Sequence, residues 1–560
     1  MKEQLHERHE FRDFRHLIDW ASEEYGDRPA FSYAKDGGTE RVSYRTLRED
    51  VYALSAALAA RGIAGHHAVL VGKLSYEWAL LYYSVIVAGG VLVPLDREWT
   101  AEDLRDTAAF ADASFLFMDA DLSDAAKTVG EGLSLAAPVC YLGGEGESAV
   151  SALLTEGRRI LAEDPDICLR LASHPREMSL LVFTSGTTGK GKGVMLTQEG
   201  ILKDIAAVTP FVDFRNKTVG VLPPHHTYGS SVLLIGHVMI GCEVYISAGL
   251  RYVVKELAEQ KPGHLVLVPL YLETFYRRIL ATLRERGKEK LVRTMIRVSN
   301  LLRKLGIDLR RRLFGQIRAA FGGELSMIIS GGAPINGEIL SFFEGIGIST
   351  LNGYGITECS PIIAVNRSRH VVPGSVGTVL DIDRVRIEEP NKEGEGEILV
   401  QGPNVMLGYY KDREATAAAI DGDGYFHTGD YGRLTKDNIL SITGRKKNLI
   451  ILSNGKNVYP EEIESALVAV PGVQDVVVYE GQSRRGLAYN AIVAEIFPDA
   501  EYMKKHGITD PEAYLRPYID EYNRTAVSYK KVAHLRVRSE DFPKNTLRKI
   551  MRFKMDMSID

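Results

Sequence analysis

A chain of 560 residues is too long for one hydrophobic core, so two or more domains are expected. Its 45% hydrophobic and 25% charged residues are ordinary for a globular protein, and a net charge of −5 gives no global reason to expect a nucleic-acid partner. Cys140, Cys168, Cys242 and Cys359 lie far apart with no CxxC pair and no His/Cys cluster, which argues against a disulfide framework or a zinc site and suits a reducing, cytoplasmic setting.

The first residues, Met1 to Glu7, are charged throughout and do not read as a secretory signal. Aliphatic runs at Ala68–Gly72, Gly90–Pro94, Ser179–Phe183, His264–Val268 and Leu325–Ile329 predict buried strands. Helical spacing between them is the pattern of parallel α/β sheets. Trp78–Leu95 is uncharged and about as long as a membrane span. Gly89-Gly90 and Pro94 divide it into a helix-like half and a Val-Leu-Val strand, so buried βαβ core is expected. From Gly374 short strands and charged turns predict a small β subdomain, about 374–443, closing a large domain of 1–444. A mobile α+β domain of 445–560 is expected to follow. In it the pattern gives a helix at Pro460–Val470, strands at Val476–Tyr479 and Ala491–Ile496, and a helix near Pro511–Asn523.

The most informative stretch is Phe183–Val194, where hydroxyls, glycines and two lysines follow a strand. Gly186, Gly189, Gly191 and Gly193 let backbone N–H groups approach phosphate oxygens. Ser185, Thr187 and Thr188 add hydroxyls, and Lys190 and Lys192 add charge. The Walker A loop is the nearest generic motif, but the hydroxyl that would hold magnesium is replaced by Gly193.

A second pattern fits without that failure. The loop resembles the Thr-Ser-Gly-Thr-Thr-Gly-x-Pro-Lys-Gly-Val motif of the adenylate-forming enzymes, departing from it at Gly191, where proline is usual. Further motifs of that family occur in order. They are Ser330-Gly331-Gly332-Ala333-Pro334, Asn352-Gly353-Tyr354-Gly355-Ile356-Thr357-Glu358, Thr428-Gly429-Asp430, Gly444-Arg445-Lys446-Lys447 and Phe542-Pro543-Lys544-Asn545-Thr546-Leu547-Arg548-Lys549. The resemblance implies that Thr184, Ser185, Gly186, Thr187, Thr188, Gly189 and Lys190 hold phosphates. It assigns Gly331, Gly332, Ala333, Pro334, Asn352, Gly353, Tyr354 and Gly355 to adenine and its surroundings, Thr357 to the α-phosphate and Glu358 to Mg2+. Asp430 would accept from the ribose hydroxyls, Arg445 would reach the nucleotide, Lys447 would be the hinge and Lys549 the catalytic lysine. Thr184, Glu358 and His226 join Lys549 as candidate catalytic residues, with Pro223–Gly229 resembling a motif that sets His226 at the edge of an acyl pocket. Arg548 stands where glycine is usual.

The implied reaction is attack of a carboxylate on the α-phosphorus of ATP, loss of pyrophosphate, and transfer of the acyl group to the thiol of coenzyme A. The stretch from Val268 to Arg318, with its basic insert, is similar to long-chain fatty acyl-CoA synthetases, so a long-chain fatty acid is the expected substrate. Val232–Ile235 suit a tunnel for an alkyl tail, though core packing demands the same residues. An acyl-carrier protein as acceptor, an aryl or medium-chain acid, and a nucleotide-dependent binding protein are the alternatives. The basic region 277–318 is a solvated helical face or a peripheral contact with the inner face of an anionic membrane. A homodimer is compatible with the sequence.

Overall fold

The structure, a computed structural model, describes residues 4–184, 191–249, 251–333, 335–451, 457–481, 491–544 and 550–558. The chain divides into two compact units. The first comprises Met1–Pro334, Glu338–Arg384 and Val400–Phe426; the second comprises Ile335–Gly337, Val385–Leu399 and His427–Asp560.

The first unit is α/β, as the alternation of apolar runs and helical spacing requires. One of its sheets has the strand order Gly408–Tyr409, Lys192–Thr197, Met178–Thr184, Val91–Leu95, His67–Val71, Ala113–Asp119 and Cys140–Leu142. The five strands from Met178–Thr184 onward are parallel, while the first two pairings are antiparallel. The span-length segment is a helix, Tyr76–Val87, followed by the strand Val91–Leu95, and Ser75 caps the helix by accepting from the Trp78 N–H at 3.1 Å. All residues from Trp78 to Val87 are buried, so this helix is apolar on every side because protein surrounds it. Among the described residues no helix is long and apolar enough to cross a membrane.

A second parallel set comprises His264–Leu267, Met327–Ser330 and Ser349–Gly355, with Ser330 opposite Asn352. It continues through the antiparallel strands Ile362–Val365 and Gly377–Val379. The strand expected at Leu325 starts at Met327 because the Leu325 carbonyl accepts from the buried Arg318 guanidinium at 2.6 Å and the Ser326 N–H donates to Gly263.

In the second unit, the strands Val473–Glu480, Ile492–Pro498 and His534–Val537 form a sheet, antiparallel then parallel. Helices Pro460–Leu467 and Pro511–Thr525 bury Ile463, Leu467, Leu515 and Ile519 with Val478 and Ala494 of that sheet. The first helix is shorter than its pattern predicted because Pro471 cannot continue it and disfavours helical geometry at Val470.

Candidate active site

The glycine-rich loop is flanked by two paired strands. Met178–Thr184 and Lys192–Thr197 are antiparallel, with Thr184 opposite Lys192. A Walker A loop joins a strand to a helix, so this topology separates the two motifs. Ser185, Gly186, Thr187, Thr188, Gly189 and Lys190 lie outside the described residues. Gly191 has a steric explanation: a Cβ there would sit 2.5 Å from the Thr184 carbonyl oxygen. The proline usual at this position would meet that oxygen. Thr184 Oγ1 donates to the Lys192 carbonyl at 3.5 Å.

From this hairpin a line of groups leads to Glu358. The short strand Gly408–Tyr409 pairs with Lys192–Thr197, setting Tyr409 opposite Val194. Lys192 Nζ lies 4.5 Å from the centre of the Tyr409 ring, a cation–π contact. Tyr409 Oη donates to Glu358 Oε1 at 3.1 Å. Burial, and then the Glu358 charge, push the Tyr409 phenol well above the ordinary tyrosine range, so it keeps its proton and donates. The Met406 N–H donates to the Glu358 carbonyl at 2.8 Å, pinning the backbone of the Thr357–Cys359 turn. Before it, Gly355 packs directly on the Pro361 carbonyl, leaving no space for a Cβ. Thr357 itself is buried.

The turn expected to hold adenine begins where two parallel strands end side by side. A Cβ on Gly331 would lie 3.3 Å from the Tyr228 ring and 3.5 Å from the Gly353 carbonyl. Tyr228 Oη donates at 3.4 Å to the Leu267 and Ile329 carbonyls, so this ring spans both strand ends. Gly332 and Ala333 are exposed; Pro334 lies outside the described residues. The Asn352 carbonyl accepts from the Asn366 N–H at 2.8 Å, and Tyr354 and Gly355 bracket a register shift. Such crevices beyond the carboxyl ends of parallel strands are where α/β proteins hold ligands. His226 lies just ahead of a π-helix, Tyr228–Gly236, and its Nδ1 accepts from the Tyr228 N–H at 3.3 Å. Gly229 packs against the Pro223 carbonyl with no room for a side chain. Val232 to Ile235 are all buried within this π-helix.

In the second unit Asp430 and Arg445 face each other across two antiparallel strands, with Arg445 Nε 3.0 Å from Asp430 Oδ1. Asp430 is buried. Lys446 Nζ is 2.6 Å from Glu397 Oε2, and Glu397 Oε1 accepts from the Gly429 N–H at 3.1 Å. The expected hinge residue, Lys447, occupies the short 3-10 turn Lys446–Asn448. Lys549 lies outside the described residues.

Three groups escape motif reading. Tyr409 holds Glu358 with no local signal beyond being aromatic, and Tyr228, although it falls within the Pro223–Gly229 motif, buttresses Gly331 in a role the motif does not assign. Behind the Glu358 turn, the Asn404 side-chain amide donates at 3.2 Å to both Asp204 Oδ1 and Asp383 Oδ2, and Asp204 Oδ2 accepts from the Ile362 N–H at 3.2 Å. Burial and then Asp383 push the Asp204 carboxyl well above its usual range, and burial pushes Asp383 up to about 7, so the pair keeps a proton near neutrality. The expectation of no His/Cys cluster is corrected by His237, Cys242 and His264, whose ligand atoms lie within 4.8 Å of one another. Folding assembles them from separate elements. Their hydrogen bonds explain them without a metal. The Arg215 N–H donates to His264 Nδ1 at 3.1 Å, so the His264 proton is on Nε2, directed at His237. All four cysteines are buried free thiols.

Comparison with known proteins follows the same lines. The sequence model of the AMP-binding enzyme family matches residues 18–410. The chain is 29% identical over 468 residues to long-chain-fatty-acid–CoA ligase FadD15 of Mycobacterium bovis, covering 79% of this chain and 76% of the relative. It is 27% identical over 514 residues to long-chain-fatty-acid–CoA ligase 1 of Cavia porcellus, covering 82% and 70%. Among solved structures, ATP-bound MatB from Rhodopseudomonas palustris is similar at TM-score 0.74 and 23% identity, over 96% of this chain and 97% of that one. The anthranilate CoA ligase AuaEII in complex with anthranoyl-AMP is similar at TM-score 0.77 and 18% identity, over 97% and 96%. Both structural likenesses speak to the fold. A family match over most of the chain, with ligase relatives aligned along most of both lengths, makes this chain a member of the AMP-binding enzyme family and an acid–thiol ligase.

Proposed function

We propose that the chain activates a long-chain fatty acid with ATP as its acyl-adenylate and then transfers the acyl group to coenzyme A. The observation that carries the first half is the line from Lys192 through Tyr409 to Glu358 at the end of the phosphate-loop strand. The chemistry needs such a line, because the attacking carboxylate and the α-phosphate are both anions. One charge pair at ~4 Å and an effective dielectric of ~20 costs roughly 4 kcal/mol. Lys192 and Lys549 would offset that repulsion, and Thr184 to Lys190 would grip the departing phosphates. Glu358 offers the hard oxygen that Mg2+ prefers, with Tyr409 to orient it; when bound, the ion would neutralise phosphate charge. Gly331–Pro334 and Asn352–Gly355 would receive adenine, Thr357 the α-phosphate, and Asp430 with Arg445 the ribose. Residues 445–560 would turn about Lys447 between the two half-reactions.

Support for the acid comes from the two long-chain ligase relatives and from the apolar π-helix that follows His226. The deciding experiment measures pyrophosphate release over acids from acetate to oleate and over aryl acids, then traps the thioester with coenzyme A or with acyl-carrier protein. Release that grows with alkyl length and a CoA thioester are expected. Preference for an aryl acid, or release indifferent to added acid, would overturn the proposal; a product formed only on carrier protein would replace the acceptor.

A further inference from the structure

The basic region 277–318 separates into two populations of cations. One set is neutralised by carboxylates or carbonyls of the protein itself. Arg284 pairs with Glu289 at 2.7 Å, Arg293 with Glu289 at 3.2 Å and Glu338 at 3.0 Å, and Arg303 with Glu344 at 3.2 Å. Arg310 pairs with Asp308 at 2.7 Å and Glu344 at 3.0 Å, and Arg318 is buried with its guanidinium on the Gly347 and Leu325 carbonyls. A second set, to which Arg278, Arg286, Lys288, Arg311 and Arg312 also belong, contains Lys290, Arg297 and Lys304. These last three are exposed, and among the described residues none of them is paired with a carboxylate.

These three cations lie on the helix Glu289–Lys304, each followed by an apolar residue: Lys290-Leu291, Arg297-Val298 and Lys304-Leu305. The doublets recur every seven residues, close to two helical turns, so cations and apolar residues form two neighbouring rows along one side. The apolar row is open to solvent, with Leu291 57%, Val298 51%, Leu301 62% and Leu305 72% exposed. Thr294, which falls within it, returns its hydroxyl to the Lys290 carbonyl at 2.9 Å and so presents its methyl group. From Leu291 to Leu305 the row is about 21 Å long at 1.5 Å per residue. Val292 and Ser299, on the opposite side, are the helix residues that reach the core.

We propose that the outer face of the helix Glu289–Lys304 is a docking surface for an anionic lipid bilayer, with Leu291, Val298, Leu301 and Leu305 entering the interface and Lys290, Arg297 and Lys304 meeting acidic headgroups. An interfacial helix needs an apolar row beside unpaired positive charge, and both are here on one face. A second copy of the chain is the competing occupant. Self-pairing along the same face would bring the two unneutralised cation rows together, and an acidic bilayer removes that conflict. The surface is independent of which acid the enzyme activates.

The test is co-flotation of the full chain with vesicles of phosphatidylcholine alone or phosphatidylcholine with phosphatidylglycerol, at low and high salt. The wild type should float with the anionic vesicles and be released by salt. Lys290→Gln, Arg297→Gln, Lys304→Gln combined should lower partitioning by roughly a hundredfold, about fivefold per charge. Leu291→Ser, Val298→Ser, Leu301→Ser, Leu305→Ser combined should abolish it, and both variants should keep wild-type circular dichroism and pyrophosphate release with a water-soluble acid. No flotation, or flotation unaltered in both variants, would overturn the proposal. So would a wild-type dimer in sedimentation that the serine variant converts to monomer, since the face would then belong to a second copy.

Discussion

His237 and His264 stack with their rings within 5° of parallel and their Nε2 atoms 2.8 Å apart, and a single proton lies between them. Because the Arg215 N–H occupies His264 Nδ1, that proton belongs to His264, and His237 must carry its own on Nδ1, directed at the Val232 carbonyl 3.1 Å away. The relay therefore runs from the backbone at Arg215 into the π-helix behind His226, and it requires both rings to be neutral. Burial pushes His237 down to about 4 and, with the His237 neighbour, pushes His264 well below the ordinary range.

The unfolded chain takes up protons near pH 6.5 while the folded chain refuses them, so stability is complete above that pH and is lost as pH falls towards 4. Each unit in that window costs roughly 1.4 kcal/mol per histidine. In a His237→Leu, His264→Asn variant the Asn oxygen replaces Nδ1 as acceptor and no titrating group remains at either position. Its urea midpoint should lie below wild type at pH 7.5 and approach it as pH drops to 5. A gap that stays constant across this range would show that the pair is not held neutral.

Tyr409 gives Glu358 its donor and Lys192 its aromatic face, so two substitutions separate those roles. Tyr409→Phe keeps the ring and removes the hydroxyl. A hydrogen bond to a charged group is worth about 1.5–3 kcal/mol, so adenylate formation should slow by roughly tenfold or more, with a higher Mg2+ requirement. Tyr409→Leu also removes the cation–π contact and should slow it further. Pyrophosphate release titrated with Mg2+ reads both. Equal activity of Tyr409→Phe and wild type would remove Tyr409 from the site.

Gly191 looked like an anomaly in its motif, and the Thr184 carbonyl explains it. Restoring the usual residue should therefore harm this enzyme. Gly191→Pro and Gly191→Ala are both expected to lower pyrophosphate release, with the two hairpin strands less protected from hydrogen exchange. Unchanged release in Gly191→Pro would show that the close approach is dispensable.

What was legible beforehand follows from locality. Apolar runs such as Ala68–Val71 and His264–Leu267 announce strands because parallel strands are buried on both faces and read as continuous aliphatic stretches. Glu358, Asp430 and Arg445 stand out as candidates because each sits inside a compact motif. Tyr409 lies 51 residues beyond Glu358, preceded by Gly408 and followed by Tyr410 and Lys411, so only the pairing of its strand with Lys192–Thr197 brings it there. The His237–His264 pair was hidden for the same reason, being joined across 27 residues by the packing of a helix on a strand. The basic region was visible as charge, but its division into neutralised and open cations depends on Glu338 and Glu344, which lie outside it.

The proposed division of labour between Lys549 and Lys447 can be tested without a ligand complex, because the two half-reactions can be run apart. Lys549→Ala removes the charge expected to stabilise the transition state of adenylate formation, so pyrophosphate release should fall by orders of magnitude. A synthetic acyl-adenylate should still be consumed by coenzyme A, since that step does not need the lysine at the α-phosphate. Lys447→Pro leaves the adenylate chemistry in place and fixes φ within the short turn Lys446–Asn448. Adenylate should then form at near-normal rate in single turnover, while its conversion to the thioester is slowed. Normal steady-state turnover by Lys447→Pro would remove the hinge from this position. Loss of both half-reactions in Lys549→Ala would show that the lysine holds the unit together and is not specific to adenylate formation.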